Sequence, residues 1–307
     1  MKDSALLTGA SGFLGKQILD VLSIHYDFSI IGRSALKSDN KRYFQLDLAK
    51  EKTKDLPSFK LVIHCAGKAH VVPRTPEEED EFYQVNLQGT INLCDSLVNS
   101  NAIPESFVFM STVAVYGVDN GELIVEDHPL DGKTPYAKSK ILSEKYLLEW
   151  SEKHNVRLLI LRLPLIAGPN PPGNLGAMIR GIATSRYLSI GKAGAHKSIV
   201  WANDIAELIP SAAKVGGIFN LTDGKHPSFR ELEICIAAAL GKKVPASIPL
   251  AIAKVIGRVG DLLGKRAPIN SEKLSKITST LTFDDRKARV LLNWNPSGVI
   301  EKLSAVL

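Results

Sequence analysis

Short apolar runs alternate with amphipathic stretches along most of the 307-residue chain. The runs "ALLT" (5–8), "FSIIGR" (28–33), "YFQLDL" (43–48), "LVIHCAG" (61–67), "FVFMST" (107–112), "RLLILRL" (157–163) and "IFNLT" (218–222) read as strands. They are rich in Val, Ile and Leu and show no polar alternation, so both faces are buried and the sheet is parallel. Between them, helical spacing covers 13–24, 78–100, 136–153, 174–186 and 203–213. This strand–helix order predicts an α/β, doubly wound fold. Beyond Leu163 the pattern loosens into the loop "PLIAGPNPPGN", and from 224 onward helices dominate. We expect a large domain from residues 1–163 with 198–223. Residues 164–197 with 224–307 form a smaller substrate-binding lobe.

Composition narrows the class. Apolar residues make up 45% and charged residues 23%, as in an ordinary globular protein. The net charge of +6 suits anionic small molecules, but the basic residues form no stripe, which argues against nucleic acid as a partner. Three cysteines, Cys65, Cys94 and Cys235, give no disulfide framework and no metal spacing. A reducing compartment, hence the cytoplasm, is expected. No apolar run is long enough to span a membrane. The segment "IPLAIAKVIGRVGDLLG" (248–264) comes nearest, and Lys254, Arg258 and Asp261 make it an amphipathic helix instead. It either packs on the body of the protein or touches a membrane surface or partner.

The first strand runs into "TGASGFLG". Gly9 permits a tight turn, Gly12 lets backbone approach a pyrophosphate, and Gly15 lets the helix pack on the strand. The free N–H groups at the helix start then face the anion. This context makes the fold Rossmann-type and the ligand a dinucleotide. The second strand ends in Arg33 and Ser34, not in a carboxylate for ribose hydroxyls. A guanidinium and a hydroxyl suit a 2′-phosphate, so NADP(H) is favoured and NAD(H) remains open. Asp47 could accept from the adenine amino group or cap the next segment.

In "TPYAKSKILSEKYLLEW" (134–150), Tyr136 and Lys140 stand four apart at a helix start, on one face. Of seven tyrosines, Tyr136 alone has a lysine four residues on. A phenol near 10 needs roughly 4 kcal/mol of preference for phenolate to reach 7. A neighbouring ammonium could contribute to that.

Together, "TGASGFLG", "HCAG", "NLQGT", "STVAVYG", "EDHPL", "PYAKSK" and "LRLPLIAGP" resemble the extended short-chain dehydrogenase/reductase family of the NAD-dependent epimerase/dehydratase type. The resemblance covers nearly the whole chain. It implies Tyr136 and Lys140 as the catalytic pair, with Thr112 bonding the reacting oxygen and Lys140 also binding the nicotinamide ribose. It further places Ser11, Phe13, Leu14, Leu48, Ala66, Gly67, Lys68, Ser111 and Leu163 around the cofactor. Asn86 would hold helix and active-site backbone together.

Where the family's dehydratases carry Asp-Glu after the catalytic Thr, this chain has Val113 and Ala114, so elimination is not expected. Leu165 replaces the usual Asn of the segment after the sixth strand, a variant similar to UDP-N-acetylhexosamine 4-epimerases and 4-keto-sugar reductases of surface-polysaccharide synthesis. Val113, His70, Asn174 and Lys197 are the expected substrate contacts. The expected reaction is hydride transfer between nicotinamide and C4 of a nucleotide-linked hexose, first as a UDP-sugar 4-keto reductase. A UDP-glucose or UDP-N-acetylglucosamine 4-epimerase is the alternative. A non-catalytic NADP(H) sensor and a reductase of hydrophobic carbonyls are the other classes. Helices 78–100 and 136–153 imply a homodimer.

Overall fold

The computed structural model describes residues 2–34, 42–69, 71–263 and 270–307. Seven parallel strands form the main sheet, in the spatial order Gly217–Asn220, Arg157–Leu163, Ser106–Thr112, Leu61–His64, Asp3–Thr8, Tyr26–Gly32, Arg42–Gln45. Each expected strand is present in this sheet. The order reverses beside the first strand, which opens a crevice at the carboxyl ends of the neighbouring strands.

The absence of polar alternation is explained by two cores. Ala5, Leu7, Leu61, Ile63, Val108 and Met110 point to one face with Ile18 and Ile205 of the covering helices. Leu6, Val62, Phe107 and Phe109 point to the other, with Leu93 and Trp150. Alternate residues therefore feed opposite cores, and both need apolar side chains.

A smaller C-terminal region has its own core. Leu175, Met178 and Ile182 of helix Gly173–Ala183 meet Leu232 and Ile236 of helix Phe229–Ala239 and Val299 and Leu303 of helix Val299–Val306. One segment departs from the expected partition. Helix Arg286–Leu292 and Trp294, expected in the lobe, return to the large core through Ala288 and Leu292. The Trp294 indole N–H donates to the Thr222 carbonyl at 2.9 Å. Strand Ile199–Trp201 pairs with Leu165–Ala167 in a two-stranded sheet and joins both parts, with Val200 in the large core and Ile199 and Trp201 in the smaller one.

The stretch expected as one helix over 78–100 is three pieces: α-helix Pro76–Phe82, a π-helical turn Tyr83–Gln88 and α-helix Gly89–Asn99. The π turn widens the spiral at Asn86, whose carbonyl accepts the hydroxyls of Thr90 (2.6 Å) and Ser143 (3.0 Å). Such turns recur at functional sites. Cys65, Cys94 and Cys235 are free thiols.

Helix Pro135–His154 is capped at its start by Thr134, whose hydroxyl accepts from Ala137 N–H at 3.1 Å, and at its end by Asn155 in the left-handed conformation. It buries Glu144 against Arg162, with exposures of 1% and 3%. Nη2 donates to Glu144 Oε2 at 2.7 Å and Nη1 to the Tyr116 hydroxyl at 3.1 Å. Tyr116 donates in turn to Asn220 Oδ1 at 2.7 Å. This network locks helix, sheet and the 116–126 segment together. Glu144→Ala strands a buried guanidinium, and urea unfolding should show a loss of about 3–5 kcal/mol. An unchanged midpoint would show that the pair carries no stability.

Candidate active site

The glycine loop leaves the first strand at the crevice. Gly9 has φ +73°, and a Cβ there would stand 2.6 Å from the Ala66 nitrogen. A Cβ on Gly15 would overlap the Gly9 carbonyl oxygen, so only glycine lets this helix pack on the turn. Gly12 is the N-cap of helix Phe13–Leu22 and donates to Gly9 O at 2.9 Å. No side chain caps this helix start, so its first N–H groups remain for an anion.

The crevice holds about 500 Å3. Gly9, Ser11, Gly12, Arg33, Asp47, Leu48, Ala66, Gly67 and Lys68 line it. Arg33 and Ser34 are exposed at its rim, where no carboxylate ends the second strand. Asp47 accepts from Ala49 N–H at 3.2 Å and so caps its own turn. Ile31, Gly32, Leu46, Ala49, His64, Cys65, Glu81 and Val85 complete the lining and were not singled out as cofactor contacts in the sequence. Glu81 pairs with the Lys68 ammonium, but it sits in an acidic run with nothing to single it out. The remaining expected cofactor residues lie outside the lining. Phe13 packs near Gly168, Leu14 on the large core, and Leu163 within it. Ser111 donates its hydroxyl to Glu144 beneath the crevice.

One strand end and one helix face build the chemical centre. Thr112 closes strand Ser106–Thr112; its hydroxyl accepts from Ala114 N–H at 3.2 Å and is near enough to the Tyr136 phenol to lower its pKa. Lys140 is buried, donates to the Met110 carbonyl at 2.8 Å and lies 4.4 Å from the Phe109 ring centre. A Cβ on Gly67 would be 3.4 Å from the Lys140 nitrogen, so the ammonium stands directly behind the crevice wall. Asn86 fixes that wall: Oδ1 accepts from Lys68 N–H at 2.6 Å, and Nδ2 donates to Lys68 O (3.1 Å) and Ser139 Oγ (2.9 Å).

His64 anchors the wall from behind. Thr90 donates to Asn86 O, so its oxygen accepts from His64 Nε2–H at 3.0 Å. Nδ1 then accepts from Thr8 at 2.6 Å, and Thr8 accepts from Ala66 N–H at 3.2 Å. Burial, reinforced by Lys140, lowers His64 to about 3 and keeps it neutral.

Burial governs the electrostatics of both groups. Burial raises the Tyr136 phenol above its ordinary value, and the Thr112 hydroxyl only partly opposes this. Lys140 is directed at Met110 O, and burial lowers it to about 8 against the raising effect of Cys65 and Glu144. Desolvation outweighs the ammonium's pull on the phenol.

The expected substrate contacts scatter. Val113 packs beside Tyr116 and Phe283, Asn174 is exposed near the start of helix Gly173–Ala183, and His70 lies outside the described residues. Lys197 donates to the Lys276 carbonyl at 2.9 Å, capping the end of helix Ser271–Thr278. An amine at that carbonyl satisfies an orphan acceptor.

A glycine turn, an uncapped helix start and a crevice at the sheet's switch point define a dinucleotide-binding oxidoreductase fold, and the loop residues present fit a nicotinamide dinucleotide. The chain belongs to the NAD dependent epimerase/dehydratase family, whose profile matches residues 5–221. It is 28% identical over 322 residues to the UDP-glucose 4-epimerase of Vibrio cholerae, covering 98% of this chain and 93% of that protein. It is 29% identical over 304 residues to N-acetyl-alpha-D-glucosaminyl-diphospho-ditrans,octacis-undecaprenol 4-epimerase of Escherichia coli O157:H7, covering 94% and 89%. The crystal structure of a Thermus thermophilus UDP-glucose 4-epimerase complexed with NAD shares the fold, with a TM-score of 0.74 at 22% identity, over 98% of this chain and 96% of that one. The protein is thus an NAD-dependent enzyme of the epimerase/dehydratase class.

Lys140 gives a pH test. Its pKa is about 8 here against 10.5 unfolded, so between these values the unfolded chain binds more protons and stability rises with pH. Relative to Lys140→Met, the wild type should gain about 3 kcal/mol from pH 8 to 10.5 in urea unfolding. A constant difference would place the ammonium in water.

Proposed function

We propose that the protein is a 4-epimerase of a UDP-linked hexose. The observation that carries this is the placement of Thr112, at its strand end, beside Tyr136 and the buried Lys140 of one helix face behind the crevice wall. The Vibrio cholerae relative supports the sugar and the nucleotide. The reductase expected first from Arg33 has weaker support than this alternative.

A nicotinamide dinucleotide held by the glycine loop would supply the hydride acceptor and donor. Thr112 would hold the C4 oxygen, and Tyr136 would take its proton as the ketone forms. The keto-sugar would then turn over so that the hydride comes back to the opposite face of C4, and Tyr136 would return the proton to the same oxygen. A protein-bound phenol can do both because no net proton is consumed. Lys140 would bridge ribose hydroxyls and favour the phenolate. Val113 and Asn174 are proposed at the sugar side. Exposed Leu142 and Leu148 on helix Pro135–His154 support a homodimer through that helix.

Arg33 and Ser34 favour a second reading, a 4-keto reductase using NADPH, since both suit a 2′-phosphate at the rim. Incubation with UDP-glucose and UDP-N-acetylglucosamine, without added cofactor, separates the two. Epimerisation predicts the 4-epimer by chromatography with no net cofactor loss. NADPH consumed one-for-one with a 4-keto-sugar, and no epimer formed, selects the reductase.

Tyr136→Phe should lower the epimerisation rate by roughly 10²–10⁴-fold while leaving dinucleotide affinity near the wild type. Full activity in that variant would remove Tyr136 from the proton transfer. If NADPH is the cofactor, Arg33→Ala should weaken it about tenfold or more in fluorescence titration and leave NADH unaffected.

A further inference from the structure

Among the described side chains of helix Leu250–Leu263, the large Leu250, Ile252, Val255, Ile256 and Val259 face outward. Ala253, Gly257 and Gly260 are buried and form one stripe. Helix Ser271–Thr278 lies against that stripe: a Cβ on Gly257 would stand 3.4 Å from the Ser271 nitrogen. Ile252, Val255, Ile256 and Val259 follow the i, i+3, i+4, i+7 spacing of a single face, yet they are 51%, 59%, 44% and 51% exposed. Elsewhere in this fold that spacing marks the face that packs.

The charges border this face. Lys254 and Arg258 are exposed, one turn apart, along its edge. Asp261 follows on the same stripe as Lys254 and Arg258, and its carboxylate is held by Ser271, accepting from the N–H at 3.0 Å and from Oγ at 2.6 Å. Lys242 and Lys243, also exposed, lie in the segment leading to the helix. The outward surface is therefore apolar at its centre and cationic at its rim.

We propose that helix Leu250–Leu263 is an interfacial membrane-binding element, with Ile252, Val255, Ile256 and Val259 inserted among the headgroups of an anionic bilayer and Lys254 and Arg258 on the lipid phosphates. The helix has 14 residues, too short to span hydrocarbon, and no helix among the described residues is long and apolar enough to do so. Lying in the plane needs only an apolar face with a basic border. A second copy fits this surface less well. A stable interface takes about 800 Å2 and 20–30 residues from each partner. Four large side chains on one convex helix fall short of that. Two-fold pairing of the helix with itself would also set Lys254 and Arg258 against the same cations. The proposal concerns where the protein works and stands whichever sugar reaction it performs.

Co-sedimentation of the full chain with vesicles tests it, using phosphatidylcholine alone and phosphatidylcholine mixed with phosphatidylglycerol. The wild type should pellet with the anionic vesicles and stay in solution with the neutral ones. Lys254→Glu with Arg258→Glu should lower the bound fraction about tenfold or more. Val255→Asp with Val259→Asp should abolish binding, with the thermal midpoint unchanged because both side chains already face out. Wild-type protein that stays in the supernatant with both vesicles overturns the proposal, as does undiminished binding by the aspartate variant. Loss of a dimer in that variant by light scattering, without vesicle binding by the wild type, gives the face to a second copy instead.

Discussion

A cation without water sits at the centre of this protein. The Lys140 ammonium is held by the Met110 carbonyl and the Phe109 ring, and among the described residues no carboxylate is bonded to it. Placing it there costs stability, because burial disfavours the charged form. The surrounding structure is arranged to keep it there. Three successive residues of one strand end address three residues of one helix face. Met110 takes Lys140 through its carbonyl, Ser111 donates to Glu144, and Thr112 faces Tyr136. The helix residues are four apart, so a single ridge of helix Pro135–His154 lies along the strand.

The crevice wall is tied to that ridge by polar side chains that packing alone would not require. Asn86 holds the Lys68 backbone from both sides and reaches Ser139, while Ser143 and Thr90 fill its carbonyl. Neutral His64 extends the chain to Thr8 and Ala66. Buried networks of this kind are rigid only when every member is satisfied. The π turn at 83–88 is the backbone adjustment that frees the Asn86 carbonyl for two hydroxyls. Dinucleotide wall and proton-transfer residues are in this way parts of one framework.

The outer parts of the molecule follow a different logic. The C-terminal helices bury Leu232, Ile236, Val299 and Leu303 against one another, and helix Arg286–Leu292 returns to close the main sheet. Helix Leu250–Leu263 instead packs through Ala253, Gly257 and Gly260 and leaves its bulky face outside. Stability does not require that arrangement, which is why a partner for the face is sought outside the chain.

The order of elements, the seven strands and the glycine turn were legible in the sequence because their signals are local. An apolar run, a helical period or a G-x-x-G-x-x-G spacing needs no knowledge of distant residues. The same holds for Tyr136 and Lys140, one helical turn apart. Tertiary structure decided what depends on two distant segments meeting. It turned Lys197 to a helix end and Ser111 to Glu144, put Glu81 on the crevice, and moved helix Arg286–Leu292 onto the large core. Spacing shows that an ammonium is near, but only the fold decides how much water is removed from the phenol and which atom the ammonium bonds.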